Sequence, residues 1–260
     1  MADRLDGARE KVRRAQAHLY EIEVTINAFF NTAYESTVFE DDPETGEKFF
    51  VLHELRRPDP SVALLIGDFL NNARSALDHT AFQLVKHPIA PGGRRCPDNR
   101  IAFPICDDPA IFESSKGRIR GTAPGVEAVV ESLQPYPQRT SPVTFQPSYL
   151  ALLRDLNDWD KHRLIHVVES RFGGAGFLNY EFIETWSAHD PGPLKAPAEL
   201  ARYKTRPGVD PNVDVGFNLT SEVAFEDGPA KGWGVPILLA RIRYEVSQII
   251  ERLAPLVAAP

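Results

Sequence analysis

Four stretches of this chain repeat apolar residues at three- and four-residue steps over five turns or more. A chain that does this must bury four helical stripes. The first covers residues 4–30, where Leu5, Ala8, Val12, Ala15, Leu19, Ile22, Ile26 and Phe29/Phe30 share one face and Arg and Glu fill the other. The second, 60–87, follows Arg57-Pro58-Asp59-Pro60-Ser61, which offers proline to a first turn and Asp or Ser as a cap. Its stripe is Ile66, Phe69, Leu70, Ala73, Leu77, Ala81 and Leu84. The third is read over 147–172, on Tyr149, Leu152/Leu153, Leu156, Leu164 and Val167, with Gly173-Gly174-Ala175-Gly176 as its cap and turn. The fourth, 236–257, carries Ile237, Leu238, Ile242, Val246, Ile249/Ile250 and Leu253.

Between these helices the period shortens. Two β-rich runs flank Pro43-Glu44-Thr45-Gly46 and predict a hairpin over 35–55. A short helix is expected at 124–134, and strands near 175–186 and 213–226. Residues 88–123 read as irregular. The segment holding Pro191, Pro193, Pro197, Pro207 and Pro211 reads as a loop. The class is therefore α+β: a mainly helical antiparallel bundle with a small antiparallel sheet of about four strands. No linker separates two self-sufficient sets of elements, so 1–260 is expected to be a single domain.

Composition narrows the function classes. The 260 residues carry 29 Lys and Arg against 36 Asp and Glu, a formal charge of −7, which argues against a surface that grips nucleic acid or anionic lipid all over. No apolar run approaches the roughly 18 residues of a membrane span, and the charged start MADRLDGARE lacks a signal peptide's apolar region. Cys96 and Cys106 are too few for a disulfide framework and read as free thiols. A soluble, cytoplasmic protein without a membrane partner is the expectation.

Chemistry-bearing residues gather on two helices. The second helix sets Asp68, Asn71, Asn72, Ser75, Asp78 and His79 opposite its stripe, with Arg74 at the border. The arc reads as the solvated face of an amphipathic helix or, since Asn, Ser and Asp are poor helix formers and solvated faces favour Lys, Glu and Gln, as a polar interface or a ligand site. On the third helix the apolar period lands on Asp160 and Arg163, charges that need partners if buried. They can pair with each other as an i,i+3 salt bridge that fixes register, or pool with Asn71, Arg74 and Asp78 in a pocket between the two helices. Asp158, His162 and His166 stand at i, i+4, i+8, a spacing open to metal ligation, proton transfer or a surface ion pair.

LIGDFLNNARSALDHTAFQLV followed by LNDWDKHRLIHVV resembles a group of uncharacterised bacterial proteins with the pattern G-D-x-L-x-N-x-R-S-A-L-D-H and, much later, L-x-x-x-D-K-H-R. Here the pattern falls on Gly67, Asp68, Leu70, Asn72, Arg74 to His79, Leu156, and Asp160, Lys161, His162 and Arg163. More distantly the arrangement resembles the HEPN superfamily of helical bundles, many of them metal-independent ribonucleases of toxin and defence systems. That resemblance implies Arg74 and His79 as catalytic residues, RNA as substrate, no cofactor and a homodimer. In such a site His acts as acid or base while Arg stabilises the phosphate. Members carry Asn, Asp or His after the Arg, where this chain has Ser75. Five residues of straight helix set Arg74 and His79 about 140° apart, so convergence requires a reach around the helix or a second subunit; the alternative is an Arg74–Asp78 i,i+4 ion pair with His79 near the surface.

The one locally basic stretch, SSKGRIRG, offers Lys116, Arg118 and Arg120 as phosphate contacts or as solvated loop charge. Three function classes follow: a HEPN-like RNA-cleaving or RNA-binding protein, a non-catalytic helical interaction protein whose polar cluster serves structure, and a small-molecule or metal enzyme using Asp158, His162 and His166.

Overall fold

The computed structural model describes residues 3–33, 38–54, 57–86, 95–136, 148–190, 192–193, 195–210 and 213–258. In chain order these form α1 (Asp6–Ala33), β1 (Val38–Asp41), β2 (Lys48–Leu52), α2 (Ser61–Lys86), α3 (Pro109–Ser115), α4 (Val126–Ser132) and α5 (Tyr149–Asp160). Then come β3 (Val167–Phe177), β4 (Ile183–Ala188), β5 (Gly192–Pro193), β6 (Ala198–Thr205), β7 (Phe217–Phe225) and α6 (Val235–Ala258). The fold is α+β, as the alternation of periods predicts. Its contacts divide into two compact units, one of Met1–Ile22, Leu64–Ile165 and Pro236–Pro260, the other of Glu23–Ala63 and His166–Val235. No linker marks that division, because each unit is drawn from separated stretches of chain.

The first unit is helical. The predicted stripe of α2 is buried throughout, and on α1 Leu5, Ala8, Ala15, Leu19 and Ile22 are buried with it. On α6 the stripe from Leu238 to Leu253 is buried, whereas Ile237, expected in the core, is 56% exposed. Two side-chain approaches fix the direction of α1 against α2: Lys11 reaches the Asn72 amide oxygen at 3.5 Å, and Gly7 faces His79. As α1 runs forward α2 runs back, so the pair is antiparallel. Arg9 joins the start of α1 to the end of α6 through Glu251 at 2.8 and 3.0 Å. Residues 101–106, in no helix or strand, are held by the buried Gln134, which accepts from Cys106 N–H and donates to Pro104 O.

α3 corrects the expectation of an irregular segment. Pro109 sits in its first turn, and the Asp108 carboxylate accepts from Ile111 N–H at 2.8 Å, so a capping residue followed by proline starts a helix there. The basic stretch 116–120 is likewise no open loop, since Lys116–Ile119 form a turn of 3₁₀ helix directly after α3. Residues 87–94 and 137–147 fall outside the described residues.

The second unit holds two antiparallel sheets, with strand orders β1-β2-β6-β4 and β5-β3-β7. The hairpin of β1 and β2 is the predicted one. Asp42 closes its tip by accepting from Glu44 N–H and Thr45 Oγ1, and Gly46 takes φ +69°. Phe50, Leu52, Phe177, Ile183, Leu200 and Tyr203 form the core beneath this sheet.

Two predicted extents are overturned here. The third helix ends at Asp160, not 172, and Val167–Phe177 is β3, paired with β7 from Val167↔Phe225 to Phe177↔Phe217. Helical period continues through Leu164 and Val167, but β-branched Ile165, Val167 and Val168 are all buried, and the long ladder with β7 outweighs local period. Gly173–Gly176 therefore lie within a strand rather than capping a helix. Gly174, at φ +145°, sits where the register against β7 shifts. The proline-rich loop also contains β6, an inner strand. Between Pro197 and Pro207 every residue keeps its N–H, and Leu200, Ala201 and Tyr203 are buried.

Candidate functional site

The polar arc of α2 sends its side chains in three directions. Toward its N-terminal end, Gly67 is buried against α5, where a Cβ would stand 2.6 Å from Asp160 Oδ2. Glycine lets a carboxylate sit directly on the α2 backbone, so two residues of the sequence pattern, 93 positions apart, meet here. Asp160 makes no hydrogen bond or ion pair among the described residues. Burial, reinforced by the Asp68 carboxylate, pushes its carboxyl above the ordinary range.

One turn on, Asn72 donates its amide to Asp68 O at 2.8 Å and meets Lys11, which occupies it within the bundle. Toward the C-terminal end, His79 is exposed and faces Gly7 of α1.

The middle of the arc borders a cavity of about 550 Å³. Its α2 wall is Asn71, Arg74, Ser75 and Asp78; its α5 wall is Arg154, Asn157, Asp158 and Lys161; Phe103, Ile105, Cys106, Ile111, Ser115 and Arg118 close it. The i, i+3, i+4, i+7 spacing of the α5 set puts all four on one face of that helix. α2 and α5 thus share a polar pocket, which holds Asn71, Arg74 and Asp78 of the expected set and neither Asp160 nor Arg163. α5 contributes a different face from the one expected: Asp160 lies against Gly67, and Arg163, beyond the end of α5, is exposed with its guanidinium 4.6 Å from the Trp159 ring centroid.

Arg74 is tightly held. Its Nε and Nη2 donate to the two oxygens of Asp78 at 3.2 and 2.8 Å, and Nη2 also reaches Phe103 O at 2.8 Å. Asp78 Oδ1 in turn accepts from Phe103 N–H at 2.9 Å. The pair clamps the 101–106 segment onto α2. Arg154 does the same from α5, with Nε on Asp155, Nη2 on Asp107 and Nη1 on Ile105 O. Lys161 pairs with Asp158 at 3.0 Å.

Of the four cations on the wall, Arg118 alone has no carboxylate partner among the described residues. Asn157, buried to 6% exposure, makes no hydrogen bond among them either, so its amide opens unpartnered into the cavity. The Cys106 thiol in the same wall is 2% exposed and pushed up by burial, against a Ser115 hydrogen bond and the nearby Arg118, so it stays a neutral thiol.

The other candidate sets separate. His79 does not line the cavity with Arg74. Lys116 is paired with Glu113, and Arg120 is exposed outside the cavity lining, leaving Arg118 as the basic residue of that stretch that reaches the pocket. Asp158, His162 and His166 need a continuous helix to share a face, and α5 stops at Asp160. His162 is exposed past its end, and His166 joins Asp227 of the second unit at 2.9 Å. Among the described residues no group of three His, Cys, Asp or Glu is placed to hold a metal ion. No described helix is long and apolar enough to cross a membrane.

Arg154 and Asn157 line the cavity and are passed over by the sequence reading. Their signal is the polar spacing Arg154, Asn157, Asp158, Lys161, overshadowed by the longer-range Asp158, His162, His166 pattern. No family model matches the chain, and neither a curated protein nor a solved structure matches it.

Proposed function

We propose that this protein binds a small organic phosphate in the cavity between α2 and α5. The observation that carries this reading is that Arg118 and the Asn157 amide, both without protein partners among the described residues, open into one concave site. The Asn157 amide reaches the cavity, and a polar ligand group there replaces solvent as its hydrogen-bond partner. A guanidinium fork matches the oxygens of a phosphate, and Lys161 adds a charged donor tied, among the described residues, to the exposed Asp158. Ile105 and Ile111 give the rest of the ligand an apolar wall, and about 550 Å³ suits a molecule of mononucleotide size.

The same geometry favours binding over RNA cleavage within one chain. A general acid–base needs a titratable group within hydrogen-bond reach of the reacting atoms. Asp78 has both oxygens on Arg74, and His79 faces α1. A ribonuclease built from Arg74 and His79 requires a homodimer in which a second copy supplies the missing partner.

Thermal shift and calorimetry test the reading with inorganic phosphate, phenyl phosphate, a nucleoside monophosphate and a tricarboxylate. A phosphate monoester is expected to bind the wild type and to lose tenfold or more in affinity to Arg118→Gln and to Asn157→Leu. No binding of any phosphate at 10 mM overturns it. Cleavage of labelled RNA in EDTA, abolished by His79→Ala, replaces it with the ribonuclease reading.

A further inference from the structure

A second cavity, of about 570 Å³, lies on the outer face of α6 in the helical unit. Four charged side chains line it: Arg241, Glu245, Glu251 and Arg252. Glu251 is taken by Arg9 at 2.8 Å, and Arg252 leans on Ser132 Oγ at 3.4 Å. Arg241 and Glu245 make no hydrogen bond or ion pair among the described residues, although one helical turn separates them. Glu245 is half-buried and burial alone pushes its carboxyl up; no neighbouring cation offsets it. Arg241 is exposed at the rim. The cavity thus offers a desolvated acceptor and a free guanidinium about 6 Å apart along the helix, beside the apolar surfaces of Leu133, Tyr149 and Ile249.

A ligand matching this surface carries an ammonium and a carboxylate on one carbon and an apolar body. We infer that the α6 cavity binds a free hydrophobic α-amino acid, its ammonium on Glu245, its carboxylate on Arg241 and its side chain against Leu133 and Tyr149. The ammonium nitrogen and carboxylate oxygens of an amino acid lie roughly 3 Å apart across N–Cα–C. The flexible Arg241 side chain closes the remaining distance. A metal ion fits less well, because a single free carboxylate beside two arginines offers too few oxygen ligands.

Calorimetry with L-leucine, L-phenylalanine, N-acetyl-L-leucine and L-leucinamide tests this. The two free amino acids are expected to bind, N-acetylation to weaken affinity tenfold or more, and amidation to weaken it severalfold. In Glu245→Gln, affinity for L-leucine falls to that of the acetylated compound and the acetylation penalty disappears. Removing an unpaired half-buried charge leaves the melting temperature of Glu245→Gln equal to or above wild type, so lost binding in a folded variant reports on the site. No binding of either amino acid at 10 mM overturns the inference, as does equal binding of leucine and its N-acetyl derivative.

Discussion

α2 carries charge into the helical unit at two places, and the two are handled in opposite ways. At Arg74 and Asp78 the donors and acceptors are matched: two hydrogen bonds join the side chains, and each side chain also bonds the backbone of Phe103. At Asp68 and Asp160 two carboxylates lie near each other with no cation engaged, and Gly67 supplies the space that lets one of them approach the helix backbone. A matched pair fixes geometry, here the path of residues 101–106. An unmatched charge costs stability in its ionised form and is kept for some reason other than stability. That difference also separates two of the three arginines that line the cavity between α2 and α5: Arg74 is engaged in structure, while Arg118 has no carboxylate partner among the described residues.

The largest effect that can break this contrast is removal of Arg74. The Arg74 side chain is 17% exposed and that of Asp78 34%. Arg74→Ala strands a partly buried carboxylate and the Phe103 carbonyl together, and about 2–3 kcal/mol of stability is expected to go, below the loss for fully buried pairs. Chemical denaturation checks it. Arg118→Ala, read in the same experiment, is expected to stay within about 0.5 kcal/mol of wild type. Similar losses in the two variants would erase the distinction between a clamp and a ligand contact.

How much of this was legible beforehand follows the same line between local and distant causes. The stripe of α2 depends only on local period, and the chain states it; all seven of its predicted residues are buried, with Val62, Ala63, Ala76 and Val85 beside them. β6 and the end of α5 depend on partners far along the chain. Val167 and Val168 continue a helical stripe well enough, and only the presence of Phe217–Phe225 makes them a strand. β6 hides between prolines that look like loop markers, because its own evidence is the pairing of Phe50 with Ala201 and of Trp186 with Tyr203. The candidate site divides likewise. The α2 wall was visible from composition and Arg118 from the local basic stretch, whereas Asn157 matters through what it lacks, and a missing partner leaves no mark in a sequence.

A middle-sized effect tests the rigidity of the unmatched place. In an exposed helix Gly→Ala gains up to about 1 kcal/mol. At Gly67 the new methyl would stand 2.6 to 2.9 Å from three atoms of the Asp160 carboxylate, and overpacking of this kind costs about 1–3 kcal/mol. Gly67→Ala is therefore expected to destabilise by about 1–2 kcal/mol, and Asp160→Ala added to it to recover that loss. A stabilised Gly67→Ala would mean that Asp160 swings away freely and that the two ends of the sequence pattern do not lock each other.

The smallest effect carries the sharpest sign. Burial and Asp68 raise the Asp160 carboxyl above its ordinary 3.8 in the folded chain. Below pH 3.8 the acid is protonated in folded and unfolded chains alike, and its charge costs nothing. As pH rises, the unfolded chain releases the proton first, so wild-type stability falls until the folded acid has also ionised, and the deficit is constant above that. Asp160→Asn removes the titration while keeping the shape. The variant is expected to melt about 1–3 °C above wild type at pH 7, with the gap closing as pH falls toward 3.8. A gap of the opposite sign at pH 7 would show that Asp160 is paired in solution, and the contrast with Arg74 would collapse into two matched sites.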